Sequence, residues 1–317
     1  MSQFGMTLGV AGYYKFEAVR LDSDGIEIPG SRRVVADWFP NLITNQGLNA
    51  SMANVTTDFI GTCRVGSGST APAFTDTSLV AQVATTGIFS ENVGFSSTAP
   101  YYGWRRVVYR FGTGVATGNL SEVGTGGGAV LYSRALIVDG SGNPTTITVL
   151  SDEVLDVTYE LRVYVPTSDA TYTINEEGVD YTFTVRAAKA GSNTWCGQSP
   201  SAGGIGKGWN GMHFVPYPAT SSIGAITGVP SGSSGANRSP SNTWTGTASG
   251  GRNTFRISSA IAQDNVTGGI GAFTIGDSGS GMNCAWMFQV GCSPALPKTS
   301  AKTMTLDFTL TLARVTP

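Results

Sequence analysis

The chain has 317 residues, enough for two ordinary domains or one large β domain, and only 13% of them are charged, about half the usual share. The 19 basic residues are outnumbered by 21 acidic ones and never cluster, which excludes nucleic-acid binding driven by charge. With 43 glycines and much Ser, Thr and Asn, the surface resists self-association weakly. That suits a member of an assembly, although turn-rich β proteins share the composition. No apolar run approaches the ~20 residues that span a bilayer, and the N-terminus lacks a basic segment followed by an apolar core. A soluble chain made in the cytoplasm, without membrane insertion, is therefore expected.

Strand alternation dominates, in places very cleanly. Asp24-Gly25 reads as a hairpin turn, and the one helix candidate runs from about Asn45 to Asn54. Strands are expected at Arg106–Phe111 and Leu131–Asp139. From Leu155 to Val165 the odd positions are Leu155, Val157, Tyr159, Leu161, Val163 and Val165, and Asp156, Thr158, Glu160, Arg162 and Tyr164 lie between them. One apolar face and one wettable face define a half-buried strand. Pro166-Thr167-Ser168-Asp169 reads as a linker, Glu177-Gly178 as a second hairpin turn, and Tyr181–Arg186 as a strand. Thr220–Gly251 is Ser/Gly/Pro-rich and reads as a long surface loop. At the C-terminus Met304, Leu306, Phe308, Leu310 and Leu312 alternate with Thr and Asp.

An internal repeat is suggested. Leu155–Leu161 is echoed by Leu306–Leu312 at an offset of 151, and Val123-Gly124 before a glycine loop is echoed by Ile275-Gly276 before GDSGSG at an offset of 152. Two related sandwich-like β domains follow, residues 1–166 and 167–317, a tandem duplication with a loop-rich insertion at 195–251. The plainer alternative is that amphipathic strands share Leu, Thr and Val.

Little chemistry is legible. Gly276–Gly281 resembles the segment around the nucleophile of trypsin-like proteases, but the single histidine, His213, lies just 65 residues before Ser278 in an unrelated context. A glycosidase needs two carboxylates across one cleft. Asp152 with Glu153 and Glu176 with Glu177 are adjacent, so on a strand they point to opposite faces. The glycine loops, Gly112-x-Gly114 among them, lack the lysine and helix of a phosphate site. Cys63, Cys196, Cys284 and Cys292 have no zinc spacing and read as buried thiols, one disulfide being the alternative. No catalytic residue, cofactor or metal is assigned. Trp195, Trp209, Tyr217 and Trp244 sit in or beside loop-like stretches and are the candidate partner or receptor contacts; filling gaps beneath long loops is the competing role.

The segments LITNQGLN (Leu42–Asn49), VGSGSTAPAFTDTSL (Val65–Leu79), Tyr101–Gly124 and Leu131–Pro166 resemble recurring motifs of tail-associated virion proteins of tailed bacteriophages, with a weaker continuation over YTFTVRAAKA (Tyr181–Ala190). The resemblance covers about Asn41 to Pro166. It implies a structural component of a tail tip, baseplate or tail fibre, not an enzyme, located in the virion and synthesised in the host cytoplasm. The implied partners are further copies of the chain, as a homotrimer or a ring, and other tail proteins. A module binding a host surface glycan or protein is the alternative, and a glycan depolymerase a third reading.

Overall fold

The structure, a computed structural model, describes residues 2–52, 58–192, 213–235, 243–244, 250–260, 264–276 and 287–315. It is all-β, as the alternation requires. The strands are β1 (Ser2–Val19), β2 (Arg33–Pro40), β3 (Leu42–Ile43), β4 (Thr62–Gly66), β5 (Gln82–Phe95), β6 (Tyr102–Phe111), β7 (Gly118–Leu120), β8 (Glu122–Gly127), β9 (Val130–Leu136), β10 (Ile147–Val149) and β11 (Val154–Tyr164). There follow β12 (Ala170–Glu176), β13 (Val179–Ala187), β14 (His213–Pro218), β15 (Thr243–Trp244), β16 (Arg252–Ser259), β17 (Ile270–Gly276), β18 (Met287–Leu296) and β19 (Met304–Arg314). Among the described residues no helix is long and apolar enough to cross a membrane.

The expected helix forms as α1 (Asn45–Ser51). Thr44 caps it, its hydroxyl accepting from the Gly47 amide at 2.9 Å, which satisfies one of the free N–H groups of the first turn. Thr44 also ties the cap to the neighbouring hairpin by donating to the Leu131 carbonyl at 2.5 Å.

A large sheet runs in the order β15-β16-β19-β1-β11-β6-β5-β4-β8-β9-β3, with β2 also on β1. A second sheet has the order β12-β13-β18-β17-β14, and β7 pairs with β10. The pairings recur along the chain: β4–β8, β8–β9 and β6–β11 in the first half match β14–β17, β17–β18 and β16–β19 in the second. The matched strands β4 and β14, β6 and β16, β8 and β17, and β11 and β19 start 148 to 151 residues apart, and β9 and β18 start 157 apart.

Pro166 does not, however, divide the chain into separate cores. β1 is 18 residues long and serves both halves. Residues from Gly9 onward run antiparallel to β11, while Ser2–Val10 run parallel to β19. The ring of Phe4 stacks on Phe183 at 5.4 Å and meets Phe308 edge-on at 5.6 Å, so the first strand sits inside the core of the second half. One hydrophobic cluster extends from Phe4 through Tyr109 and Leu161 to Phe273 and Leu312. The expected 166/167 division thus cuts across a cluster and a strand that the two halves share.

The supposed glycine loop Gly124–Gly128 is also corrected: Gly124–Gly127 belong to the buried strand β8. A Cβ on Gly126 would lie 2.1 Å from the Val130 carbonyl, so glycine is needed for close packing rather than for a loop.

Beside those glycines, Glu122 on β8 and Arg134 on β9 form a fully buried ion pair at 2.9 Å. The Glu122 carboxylate also accepts from the amides of Gly68, Val80 and Ala81 at 3.1, 3.1 and 2.7 Å. Arg134 reaches Asp76 at 2.7 Å and the Thr70 carbonyl at 2.8 Å. Together they pin the connection from Ser67 to Ala81 against the sheet. Burial pushes the Glu122 carboxyl up, but the Ala81 and Val80 amides and the Arg134 guanidinium outweigh it and hold it below its ordinary 4.5. A carboxyl lowered by folding stabilises the native state above its unfolded value and loses that contribution as pH falls through the folded value. Acid unfolding is therefore expected to begin below about pH 4.5. Glu122→Gln should remove its part of that acid sensitivity while costing about 3–5 kcal/mol at neutral pH, because Arg134 stays buried against a neutral amide. Denaturant titrations of both proteins at several pH values measure this.

Phe308→Ala is expected to cost about 3–5 kcal/mol. Because Phe308 packs on Phe4, β11 and β17 should open together. Native-state hydrogen exchange checks this, and an unchanged opening energy at β11 would contradict the shared core.

Candidate interaction surface

The wettable face of Leu155–Val165 is not solvated. Asp156, Thr158 and Glu160 are all buried, the two acids beneath long arginine side chains and Thr158 between Val108 and Lys15 on the neighbouring strands. The register makes rows across the sheet. Arg110, Asp156, Glu17 and Val34 are neighbours on β6, β11, β1 and β2, and Arg106, Glu160 and Tyr13 form the next row of this kind.

Glu160 is shared by two arginines. Arg106 Nη2 donates to Oε2 at 2.5 Å and Arg162 Nε to Oε1 at 2.6 Å. Each guanidinium is itself held between two rings. Arg106 lies 5.4 Å from the Trp38 ring centre and 5.0 Å from that of Trp104. Arg162 lies 4.5 Å from Tyr13 and 4.8 Å from Tyr102. Further along, Asp156 takes a bidentate pair from Arg110 at 2.7 and 2.8 Å and a third bond from Arg32 at 3.0 Å. Arg110 covers the ring of Phe89 at 4.2 Å.

The result is a stiff, charge-neutralised sheet face with large apolar groups at its surface. Val34, Trp38 and Phe89 are 52%, 41% and 58% exposed. Closed ion pairs lower the cost of desolvating such a face, and exposed rings on a rigid frame suit a flat macromolecular contact.

The residues singled out in the sequence fall elsewhere. Trp195 and Trp209 lie outside the described residues, as do Cys196, Cys284 and Ser278. Trp244 is placed by its backbone in β15 opposite Phe255, and its side chain lies outside the described residues. Tyr217 is buried on β14, in register with Ala272 of β17 and on the strand face opposite Phe214, which does not suit an exposed contact residue. His213 pairs with Gly276 across β14 and β17, and its side chain also lies outside the described residues. Cys63 and Cys292 are free thiols, and burial pushes both up. Asp152 and Glu153 are bound to Arg20 and Arg33 at 2.9 and 2.8 Å, and Glu177 to Lys302 at 2.6 Å. Among the described residues no three His, Cys, Asp or Glu side chains converge as a metal site.

The arginine and aromatic face was missed because its members are scattered over β1, β2, β5, β6 and β11. A signal existed: Trp104, Arg106 and Arg110 share one parity, as do Asp156, Glu160 and Arg162. Comparison with family models, with curated proteins and with solved structures returned no match.

Glu160→Gln should leave the two arginines bonded to a neutral amide and cost about 1–3 kcal/mol. Chemical denaturation with Trp fluorescence measures this directly, since Trp38 and Trp104 stack on Arg106.

Proposed function

We propose that this chain is a structural subunit of a bacteriophage tail, in the tail tip, baseplate or tail fibre, that assembles with copies of itself and with neighbouring tail proteins. The observation that carries the assembly part is the rigid face bearing exposed Val34, Trp38 and Phe89 over ion pairs that are already closed. The tail context rests on the motif resemblance. Those motifs supply parts of the frame: Leu42–Asn49 contains β3, the Thr44 cap and most of α1, Val65–Leu79 includes much of the connection held by Glu122 and Arg134, and Tyr101–Gly124 contains β6.

The second reading, a module that binds host glycan or protein, is favoured by the exposed Trp38 ring beside Arg106. On the assembly reading, Trp38→Ala changes stability by less than about 1 kcal/mol, because the ring is half in solvent. It should nevertheless weaken incorporation into particles. The test is quantitative detection of the chain in purified virions carrying wild-type or Trp38→Ala protein. Absence of the wild-type chain from virions overturns the proposal. Full incorporation of the variant with loss of adsorption favours the receptor reading.

A further inference from the structure

Among the described residues, the second sheet ends in a strand with an open edge. β12 is paired on one side with β13, without a bulge, from Ala170↔Val185 to Glu176↔Val179. The two-residue turn between them, Glu177-Gly178, has φ of +51° and +83°, which marks the primed turn that matches strand twist. Such a turn is flanked by a hydrogen-bonded pair, here Glu176 and Val179. By alternation Ile174 and Tyr172 also bond to β13. Thr171, Thr173 and Asn175 therefore turn their N–H and C=O groups to the open side.

Other sheet ends are blunted. β15 and β3 are two residues long, β14 carries Pro216 and Pro218, and β2 is irregular against β1. Prolines, shortness and bulges are the usual protections of an edge. β12 has seven residues, ATYTINE, with no proline, no lysine and one charge.

The open edge has a cause in the topology. The β1–β2 hairpin opens the first half and the β12–β13 hairpin opens the second. β1 pairs with β11, but the corresponding place beside β19 is filled by the other end of β1. β12 is left beside it, tied by a Tyr172 hydroxyl donating to the Gly5 carbonyl at 3.0 Å. Two grooves of about 490 and 500 Å³ border β12, one lined by Met6, Thr309 and Tyr172, the other by Ile174, Tyr181 and Leu306.

We infer that β12 is a docking edge for the β12 strand of a second copy, joined antiparallel about Thr173. Thr173 then faces its own copy, Thr171 faces Asn175, Tyr172 faces Ile174 and Ala170 faces Glu176. The pairs with outward backbone groups exchange hydrogen bonds, no like charges are opposed, and the Tyr–Ile pairs lie beside grooves whose linings mix apolar and polar groups. A parallel in-register arrangement would set Glu176 against Glu176. The contact is two-fold, so it joins copies pairwise, whether single chains or preformed rings. It takes the self-association proposed above and assigns it an edge. A seven-residue edge buries less than the roughly 1,200 Å² of a standard interface, so the contact is weak and acts through multiple copies.

The test is sedimentation of the full chain across a concentration series, with Thr173→Pro and Thr173→Lys. Proline removes an outward N–H without touching the β13 ladder, and lysine opposes two ammonium groups on the axis while leaving the backbone intact. Each should weaken the association at least about tenfold and halve the mass of the assembly, with far-UV circular dichroism unchanged. Hydrogen exchange should show the Thr171, Thr173 and Asn175 amides protected only in the associated wild type. Should the proline variant fail to fold, the lysine variant and the exchange pattern decide alone. An assembly that persists in Thr173→Lys, with those amides exchanging freely, overturns the edge and leaves the assembly reading standing. A wild-type chain that is monomeric at every concentration overturns both.

Discussion

Two backbone ladders on β1 hold this structure together. Between Ser2 and Val10 the strand runs parallel to β19, and between Gly9 and Val19 antiparallel to β11. The strands β1 and β19 approach so closely that a Cβ on Gly5 would stand 2.1 Å from the Thr309 carbonyl oxygen. Only glycine permits that contact. Almost everything else in the sheet is antiparallel, so the parallel step at β19 is where the two ends of the sequence are sewn together. It also explains why a chain with recurring strand pairings forms one core. The strand that completes the first half continues into the second, bringing Phe4 among Phe183, Phe273 and Phe308.

A chain so poor in charge places many of its charges in closed groups. Glu122 and Arg134 lie wholly inside, and Arg105 is buried between Asp58 and Glu91 at 2.6 and 2.5 Å. Isolated, such groups would cost several kcal/mol each; bidentate geometry and backbone donors offset that desolvation. The same arrangement, laid flat on β6 and β11, shields Asp156 and Glu160 from water. Adjacent arginines illustrate the division. Arg105 points into the core face and Arg106 to the outer face, as neighbours on a strand must.

Local order was legible in the sequence and long-range order was not. Period-two alternation located β11, β19, β6 and β13 to within a few residues, and Glu177-Gly178 located its hairpin, because those signals depend only on near neighbours. Nothing local says that an N-terminal strand will lie parallel to the last one, so a division at Pro166 takes no account of the core that β1 shares between the halves. The wettable face of β11 was misread for a related reason. Its acids are buried only because Arg106 and Arg110 lie opposite them, and that register is set by turns and packing elsewhere. Exposed Trp38 drew no notice because it sits in a plain strand, whereas Tyr217, in a sequence that resembles a loop, is buried.

The long β1 has one further consequence. In a sheet protein every strand must be paired, covered or terminal. β1 takes the place beside β19 that the repeated order would give to β12, so the number of terminal strands rises by one. Most sheet ends are kept short or carry proline, which are sequence choices. β12 keeps Thr, Tyr and Ile in an unbroken run against β13, a composition that favours pairing. Its inner face is only half covered, with Tyr172 and Ile174 partly buried against the core. A strand paired on one edge and half covered on its inner face is complementary to a copy of itself, and the charge of Glu176 at one end selects the antiparallel sense. The topology that closes the core thus creates the open edge.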